Sequence, residues 1–236
     1  MKDITDITVI QIRLFPVDVI PFNIISTQSC VQKIKESFSL TVVESPPFLD
    51  NINSIMFQKG EFKSNKQIII INKIEIEPRR IILEVTGTSQ QANEVYDSLL
   101  ISISEAVNIE VGRLRQPLLN AENTRCVVTL DFHISELFSK SFMSFLNNDV
   151  KNKASTQLAS GIVEPIGILT QISYQIKDET LIKNAIGMNP KQFTITPRSG
   201  VPIEEKRFVT SSPFDSDTHL GLIKTLNNLM VKKVKK

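Results

Sequence analysis

The sequence of 236 residues has no tryptophan, only eight glycines, two cysteines and two histidines. So few glycines leave no room for a glycine-rich nucleotide loop. The cysteines, Cys30 and Cys126, make neither a disulfide framework nor a zinc-ligand set, and their apolar neighbours predict buried thiols. The short signatures of serine hydrolases, P-loop enzymes, zinc proteases and dithiol oxidoreductases are also missing. The sequence therefore contains no recognised catalytic motif, and we predict no cofactor.

Long hydrophobic runs are missing as well. No apolar stretch approaches the roughly 18 residues that a membrane helix requires. The first residues, Met1 to Asp6, contain two acids and no apolar stretch of the signal-peptide type. The sequence therefore predicts a protein without a membrane partner and with a cytoplasmic location.

The charge balance has no strong bias of either sign. The chain has 27 basic and 25 acidic residues, a net charge of +2. Four lysines stand among the last five residues, Lys232 to Lys236, so 23 basic and 25 acidic residues remain, a net charge of −2. A body of this kind does not attract phosphate backbones on average. Nucleic-acid binding, through a sheet face or the lysine tail, is therefore the disfavoured alternative.

The chain does contain an internal repetition at an offset of about 119 residues, which is the signature of a duplicated unit. The matched segments are Ile76–Arg79 with Ile195–Arg198, Val85–Ser89 with Val209–Pro213 after a small insertion, and Thr8–Leu14 with Val127–His133. The repetition predicts two α+β units, residues 1–118 and residues 119–236, the second with a basic C-terminal tail.

Hydrophobic periodicity predicts the same order in each half: strand, helix, several antiparallel strands, helix. In the first half these are a strand over 7–15, a helix over about 26–39, strands over 54–63, 66–77 and 80–87, and a helix with Ser89 as its N-cap. In the second half they are a strand over 125–133, a helix over 134–150, strands within 162–177, 191–196 and 205–211, and a helix from Asp215. We predict an α+β fold with the helices on one face of a sheet.

The order of elements in each half resembles one repeat of the duplicated saddle of TATA-binding proteins. The resemblance concerns this order alone. Two copies of such a unit can pack side by side into one larger sheet about a pseudo-twofold axis. No function is carried over from it, because one architecture hosts many functions. The two final helices are then equivalent, with Leu99 and Leu226 at matching core positions. The apolar stripe of the second helix comprises Leu222, Leu226, Leu229 and Val234.

Both histidines follow an aspartate by two positions, as Asp131 with His133 and Asp217 with His219, and Asp215 stands nearby. Carboxylates and imidazoles together can ligate a divalent metal. Aspartates at the start of a helix also cap free backbone amides and complement the helix dipole. The sequence leaves both interpretations of these residues open.

Four arginines form a second candidate site. Arg79 and Arg198 occupy equivalent hairpin positions in the repetition, and Arg80 and Arg207 are close to them in sequence. Arginines paired around a twofold axis can bind a shared anion or a carboxylate of a partner. The alternative is that these side chains only decorate exposed turns.

The sequence favours a non-catalytic binding or assembly protein that acts through protein–protein contacts or self-association. A repeated sheet-and-helix unit offers an extended surface and edge strands for such contacts. Two alternatives stay open: a nucleic-acid-binding protein that uses the sheet face or the tail, and a metal-dependent enzyme that uses the Asp/His cluster.

Overall fold

A computed structural model describes residues 1, 3–44, 54–64, 67–154, 165–173 and 190–234. The strands are β1 (Ile4–Leu14), β2 (Val42–Glu44), β3 (Ile55–Lys63), β4 (Ile68–Ile76), β5 (Arg80–Thr86), β6 (Leu119–Thr129), β7 (Ile168–Ile172), β8 (Lys191–Pro197) and β9 (Arg207–Ser212). The helices are α1 (Phe22–Ile25), α2 (Gln28–Ser37), α3 (Ser89–Val107), α4 (Val111–Leu114), α5 (Lys140–Phe145), α6 (Lys151–Ala154) and α7 (Ser216–Val234). A π-turn joins α5 to α6, and short 3₁₀ turns cover Ile134–Leu137 and Ile203–Glu205. The predicted α+β class is confirmed.

The nine strands of the described residues belong to one sheet, in the order β2-β3-β4-β5-β1-β6-β9-β8-β7. Every pair of neighbours is antiparallel, and β1 and β6 lie side by side at the centre. In that central pair Leu14 is opposite Leu119, and Ile10 is opposite Asn123. The strands of residues 1–118 therefore lie on one side of this seam, and those of residues 119–236 on the other.

On the isoleucine-rich strand β4, the side chains of one face are buried and two isoleucines of the other face are exposed among the described residues. Ile69 and Ile71 are buried, and after a shift of register the buried series continues at Ile74. Ile68 and Ile70, which point to the opposite face, are 58% and 42% exposed. A run of four isoleucines is typical of a strand covered on both faces, but among the described residues the second face of β4 is exposed.

Helix α3 is capped at both ends, and its N-cap is Thr88 rather than the predicted Ser89. The Thr88 side chain accepts a hydrogen bond from the backbone N–H of Gln91, and the Gln91 side chain accepts one from the backbone N–H of Thr88. These two hydrogen bonds form a capping box. At its other end Asn108 takes a left-handed conformation with φ 54° and caps the helix. Its apolar stripe, which includes Val95, Leu99 and Ile103, is buried against the sheet.

Two hydrophobic clusters form the core on the helix side of the sheet. The larger one joins α1–α4 to β1 and β3–β5, and the smaller one joins α7 to β6, β8 and β9. Ile7 packs against both clusters, at the seam. No helix in the described part of the chain is long and apolar enough to cross a membrane.

The buried face of α7 differs from the predicted leucine stripe. Leu222 and Leu229 are 42% and 61% exposed, Leu226 is half-buried, and the side chain of Val234 lies outside the described residues. The buried positions are Ser216, His219, Ile223, Asn227 and Met230. Polar residues can occupy a buried face when they have partners, and Asn227 accepts from the Asp131 backbone at 2.9 Å. The pattern of leucines therefore predicted the wrong rotation of α7 about its own axis.

Two further boundaries differ from the predictions. Strand β6 begins at Leu119, so Val127–His133, the segment matched to Thr8–Leu14, lies only partly on a strand. The residues at the start of β6 are polar, and their backbones pair with β1. Of the predicted strand region 162–177, only residues 165–173 lie within the described chain, and they contain β7.

Gly60 on β3 has no room for a side chain. A Cβ atom there would lie 2.5 Å from Cδ2 of Leu40 and 2.7 Å from the carbonyl oxygen of Phe38. Gly60→Ala is therefore expected to lower the free energy of unfolding by about 1–3 kcal/mol through overpacking. At Gly221, on α7, a Cβ would meet nothing within 4 Å. Gly221→Ala should be neutral or stabilising, and equal urea midpoints for the two variants would contradict this packing.

Candidate functional site

The two faces of the sheet differ in what lies against them. Val9, Leu83 and Cys126 point towards the helices and are buried. The alternate residues on the same strands point the other way, and in the described part of the chain no helix packs over them. We call this second surface the open face. Its residues on the central and flanking strands are Thr8, Ile10, Ile12 and Leu14 on β1, Arg80, Ile82, Glu84 and Thr86 on β5, Leu119, Ala121, Asn123, Arg125, Val127 and Thr129 on β6, and Arg207, Val209 and Ser211 on β9.

The centre of the open face combines aliphatic side chains with small hydrogen-bonding groups. Ile10 and Ile12 of β1 lie beside Asn123 and Ala121 of β6, and all four are half-buried. The Asn123 amide oxygen accepts a hydrogen bond from the Ser211 hydroxyl at 3.1 Å. That bond holds the Asn123 side chain beside Ser211 and leaves the other end of its amide directed away from this partner.

Charge is distributed unevenly over the open face. On β6–β9 the described open-face residues include Arg125 and Arg207 and no carboxylate. On β3–β5 acids and bases alternate: Glu61, Lys63, Lys73, Glu75, Arg80 and Glu84. Lys73 pairs with Glu75 at 3.1 Å, and Arg80 donates from Nε to Glu77 at 2.9 Å. The second half is therefore locally basic, and the first half is balanced.

Aromatic side chains are missing from the described part of the open face. Phe57 and Phe208 are buried in the cores on the helix side, and Phe62 and Phe193 pack against those cores. Single-stranded nucleic acids are usually held by stacking bases on aromatic rings. The open face lacks this means of binding in the described strands.

No protein-family model matches this chain, and no curated protein is significantly similar to it. The function proposed below therefore rests on the side chains themselves. Among them, Arg125 and Asn123 were not singled out in the sequence. Their position opposite Thr8 and Ile10 depends on the pairing of β6 with β1, which no local pattern reveals.

The four arginines of the sequence hypothesis do not converge. Arg80 is opposite Leu14, at one end of the central strands, and Arg207 is opposite Thr129, at the other end of β6. Ten residues of strand separate these ends, which corresponds to roughly 33 Å. One anion shared by the two pairs is therefore incompatible with this arrangement.

Three of the four arginines have separate partners. Arg79 Nε donates to the Phe15 carbonyl at 3.4 Å, and Arg198 pairs with Asp6 at 3.5 Å. The hydrogen bond with Glu77 raises the pKa of Arg80. Arg207 lies on the basic part of the open face, and its carbonyl accepts a hydrogen bond from the Arg198 backbone at 3.0 Å.

The candidate metal ligands are also dispersed. Asp131 binds the amino group of Met1 and the Asn227 side chain, and His133 is exposed at the start of the 3₁₀ turn Ile134–Leu137. Asp217 is exposed in the first turn of α7. The described residues contain no group of three or more His, Cys, Asp or Glu side chains placed to hold a metal ion. The Asp/His cluster therefore gives no support to a metal-dependent enzyme.

Asp215 caps α7, as the alternative interpretation of the sequence had it. Its carboxylate accepts from the Thr218 hydroxyl at 2.6 Å and from the Thr218 backbone at 2.9 Å. The hydrogen bond from the hydroxyl, followed by that from the backbone, lowers the pKa of Asp215. The carboxylate is thus held in its ionised form at the positive end of the helix dipole.

His219 is fully buried between α7 and the sheet. Its Nδ1 lies 2.7 Å from the Ser212 hydroxyl, and its Nε2 lies 2.9 Å from the Thr210 hydroxyl and 3.4 Å from the Cys126 sulfur. Burial lowers the pKa of His219 to about 4, so the ring is neutral at pH 7. We call Cys126, Thr210, Ser212 and His219 the buried histidine network.

The buried histidine network is not arranged for nucleophilic catalysis, although it contains a cysteine beside a histidine. A catalytic cysteine requires access to substrate and a lowered pKa. Cys126 has no exposed surface, and burial raises the pKa of its thiol. The network instead satisfies polar groups where α7 contacts β6 and β9.

Proposed function

We propose that this chain is a non-catalytic binding protein whose open face binds a nucleic-acid duplex. The observation that carries the proposal is the basic half of the open face. There Arg125 and Arg207 stand among neutral hydrogen-bonding side chains, and the described open-face residues of β6–β9 include no carboxylate. Arginine is suited to phosphate and groove contacts because its planar group offers several donors.

The dimensions of the sheet support a duplex as the occupant. Nine strands spaced at about 4.8 Å span roughly 38 Å. One turn of duplex DNA rises about 34–36 Å. A groove could therefore follow the open face across both halves, and sheet faces are known to read DNA in this way.

The side chains at the centre also suit a groove more than a single strand. Proteins that bind the minor groove combine arginine and asparagine contacts with aliphatic side chains that lie against the sugars or enter base steps. Asn123, Ile10 and Ile12 supply these groups beside Arg125. The missing aromatic rings argue against stacking of unpaired bases.

The negative net charge of the body does not decide the question. The sequence prediction ranked nucleic acid low because a body of net charge −2 repels phosphate on average. Association depends on the contacts made at the surface, and counterion release scales with the phosphates neutralised there. We therefore expect binding that is weak near physiological salt and that strengthens strongly as salt is reduced.

We also propose that residues 1–118 and 119–236 are copies of one unit. The sheet order supports it, because β5-β4-β3 follow β1 on one side as β9-β8-β7 follow β6 on the other. In each half a helix of 19 residues, α3 or α7, follows the last strand. An experimental structure in which the two halves failed to superpose, with Arg79 away from Arg198, would reject the duplication.

Charge reversal at the open face tests the duplex proposal. Arg125→Glu with Arg207→Glu should weaken binding to a labelled duplex of about 20 base pairs and should flatten the salt dependence by about two units of slope. The measurement is fluorescence anisotropy between about 50 and 200 mM salt, with DNA and RNA duplexes as separate arms. Near-identical curves for this variant and the unmodified protein would reject the open face as the binding surface.

A matched control carries the same charge change on the helix side. Arg113→Glu with Arg115→Glu alters two exposed arginines in and next to α4. It should leave most of the binding intact. A third variant without residues 232–236 tests the lysine tail: if this truncation alone abolishes binding, the tail rather than the open face holds the duplex.

A protein partner remains the second candidate, because of the other half of the open face. Ile68 and Ile70 are exposed on β4, opposite Lys63 and Glu61 of β3. Exposed isoleucines within a balanced ring of charges are typical of protein contacts. Self-association that Ile70→Asp removes, measured by analytical ultracentrifugation, would favour this function; a monomer at all concentrations would count against self-association.

A further inference from the structure

A polar cleft lies on the helix side of the sheet, where the two halves meet. It has a volume of about 410 Å³ and lies between β1, β6, the first turns of α3 and the loop before α7. The residues that matter are Gln11, Arg13, Asn93, Glu122 and Asp215. We call it the seam cleft. It faces away from the open face, so a ligand here leaves that surface free.

Arg13 provides a positively charged group that is fixed in place. Its guanidinium lies over the Tyr96 ring at 3.6 Å from the centroid, and Nη2 donates to the Asn93 side-chain oxygen at 3.2 Å. Arg13 forms no ion pair with a carboxylate of the described residues. Most of its donors are therefore free to bind an anionic group.

Gln11 provides an acceptor without a partner. It is 4% exposed, and its Nε2 donates to Asn93 at 2.8 Å and to Glu122 at 3.3 Å. Because both of those partners are acceptors, the positions of Nε2 and Oε1 in the Gln11 amide cannot be exchanged. Its Oε1 is buried and has no hydrogen-bond partner among the described residues. Unpartnered buried acceptors are rare, and this one lies beside a cleft.

The two carboxylates of the cleft already have donors. Glu122 accepts from the Ser89 hydroxyl and from Gln11, and Asp215 accepts from Thr218. Their negative charges disfavour a multiply charged anion such as phosphate. A single carboxylate that carries its own donor matches both free groups of the cleft.

We propose that the seam cleft binds an α-carboxylate together with the N–H on its α-carbon. The carboxylate binds Arg13, and the N–H donates to Oε1 of Gln11. Gln11 and Arg13 both donate to the Asn93 side-chain oxygen, so the two side chains are neighbours at the cleft. A free amino acid and the C-terminal residue of a peptide both carry these groups, and capture of a terminal carboxylate is a recurring mode of peptide recognition.

A ligand series tests the proposal on the full chain without any substitution. N-acetylglycine carries both groups, acetate lacks the N–H, and N-acetylglycinamide lacks the carboxylate. In NMR titrations we expect N-acetylglycine to bind at about millimolar concentration and at least tenfold more tightly than either of the others. Glycine and N-acetyl-diglycine then distinguish the two sources. Tighter binding of glycine indicates a free amino acid, and tighter binding of N-acetyl-diglycine indicates the C-terminus of a peptide. Equal binding of acetate and N-acetylglycine, or no binding, would overturn the proposal.

Variants test which residues hold the two groups. Arg13→Gln should weaken N-acetylglycine at least tenfold, whereas Arg115→Gln, an exposed arginine outside the cleft, should not. Gln11→Met should remove the preference for N-acetylglycine over acetate while acetate still binds. Thermal melts establish that the variants fold. A folded Arg13→Gln protein with unchanged affinity would contradict the assignment of the carboxylate to Arg13.

Discussion

Leu99→Ala is expected to lower the free energy of unfolding by about 2–5 kcal/mol. Leu99 has no exposed surface and lies on the stripe of α3 that packs onto the sheet. Its removal eliminates buried apolar surface and leaves a cavity that the surrounding side chains fill only partly. Urea denaturation followed by circular dichroism measures the loss as a shift of midpoint at unchanged slope.

Ile101 is the matched control on the same helix. It is 42% exposed, so Ile101→Ala should change the free energy of unfolding by less than about 1 kcal/mol. Leu226, which the sequence analysis placed at an equivalent core position, is half-buried, and Leu226→Ala should cost less than Leu99→Ala. Equal losses for Leu99→Ala and Ile101→Ala would mean that the orientation of α3 is wrong.

Acidification from pH 7 to pH 5 is expected to lower the free energy of unfolding by about 2 kcal/mol through His219 alone. The pKa of this ring is lowered to about 4 by burial, against about 6.5 in an unfolded chain. The unfolded chain therefore binds more protons than the folded protein between these values. This contribution is fully present above about pH 6.5 and is lost as the pH falls towards 4.

Two histidine variants isolate this effect. His219→Gln should remove this part of the pH dependence and should itself destabilise the protein, because the buried histidine network loses its central member. His133→Gln alters the other, exposed histidine and should keep the dependence. If chemical denaturation gave the same pH profile for His219→Gln and the unmodified protein, the buried neutral histidine would be contradicted.

Elements with a clear hydrophobic period could be predicted from the sequence. The strands β3, β4 and β5 and the helix α3 lie within a few residues of their predicted bounds. In each of these the buried positions are apolar, so burial is visible in the pattern itself. The repetition also drew attention to Arg207, which lies on the open face.

Elements whose buried or paired positions are polar could not be predicted. On α7 the leucines face solvent more than His219 and Asn227 do, because these polar side chains have partners on other elements. The start of β6 is polar because one of its faces is the open face and the other lines the seam cleft. Such assignments depend on tertiary pairing, which a local period does not contain.

The candidate site itself falls into this second category. The open face is assembled from β1, β6 and β9, which are distant in the chain, so Arg125 becomes notable only once Thr8 and Ser211 lie on either side of it. The seam cleft likewise depends on Gln11 and Arg13 meeting Asn93 of α3. No spacing in the sequence brings these residues together.

The central claim is that a duplex lies on the open face, and methyl NMR tests it most directly. Ile10 and Ile12 report on that face, whereas Ile103 and Ile223 are buried on the helix side. Titration with a DNA duplex at low salt should shift the methyl signals of Ile10 and Ile12 progressively and leave those of Ile103 and Ile223 nearly unchanged. Shifts confined to the helix side, or no shift at Ile10 and Ile12 at saturating duplex, would contradict the claim.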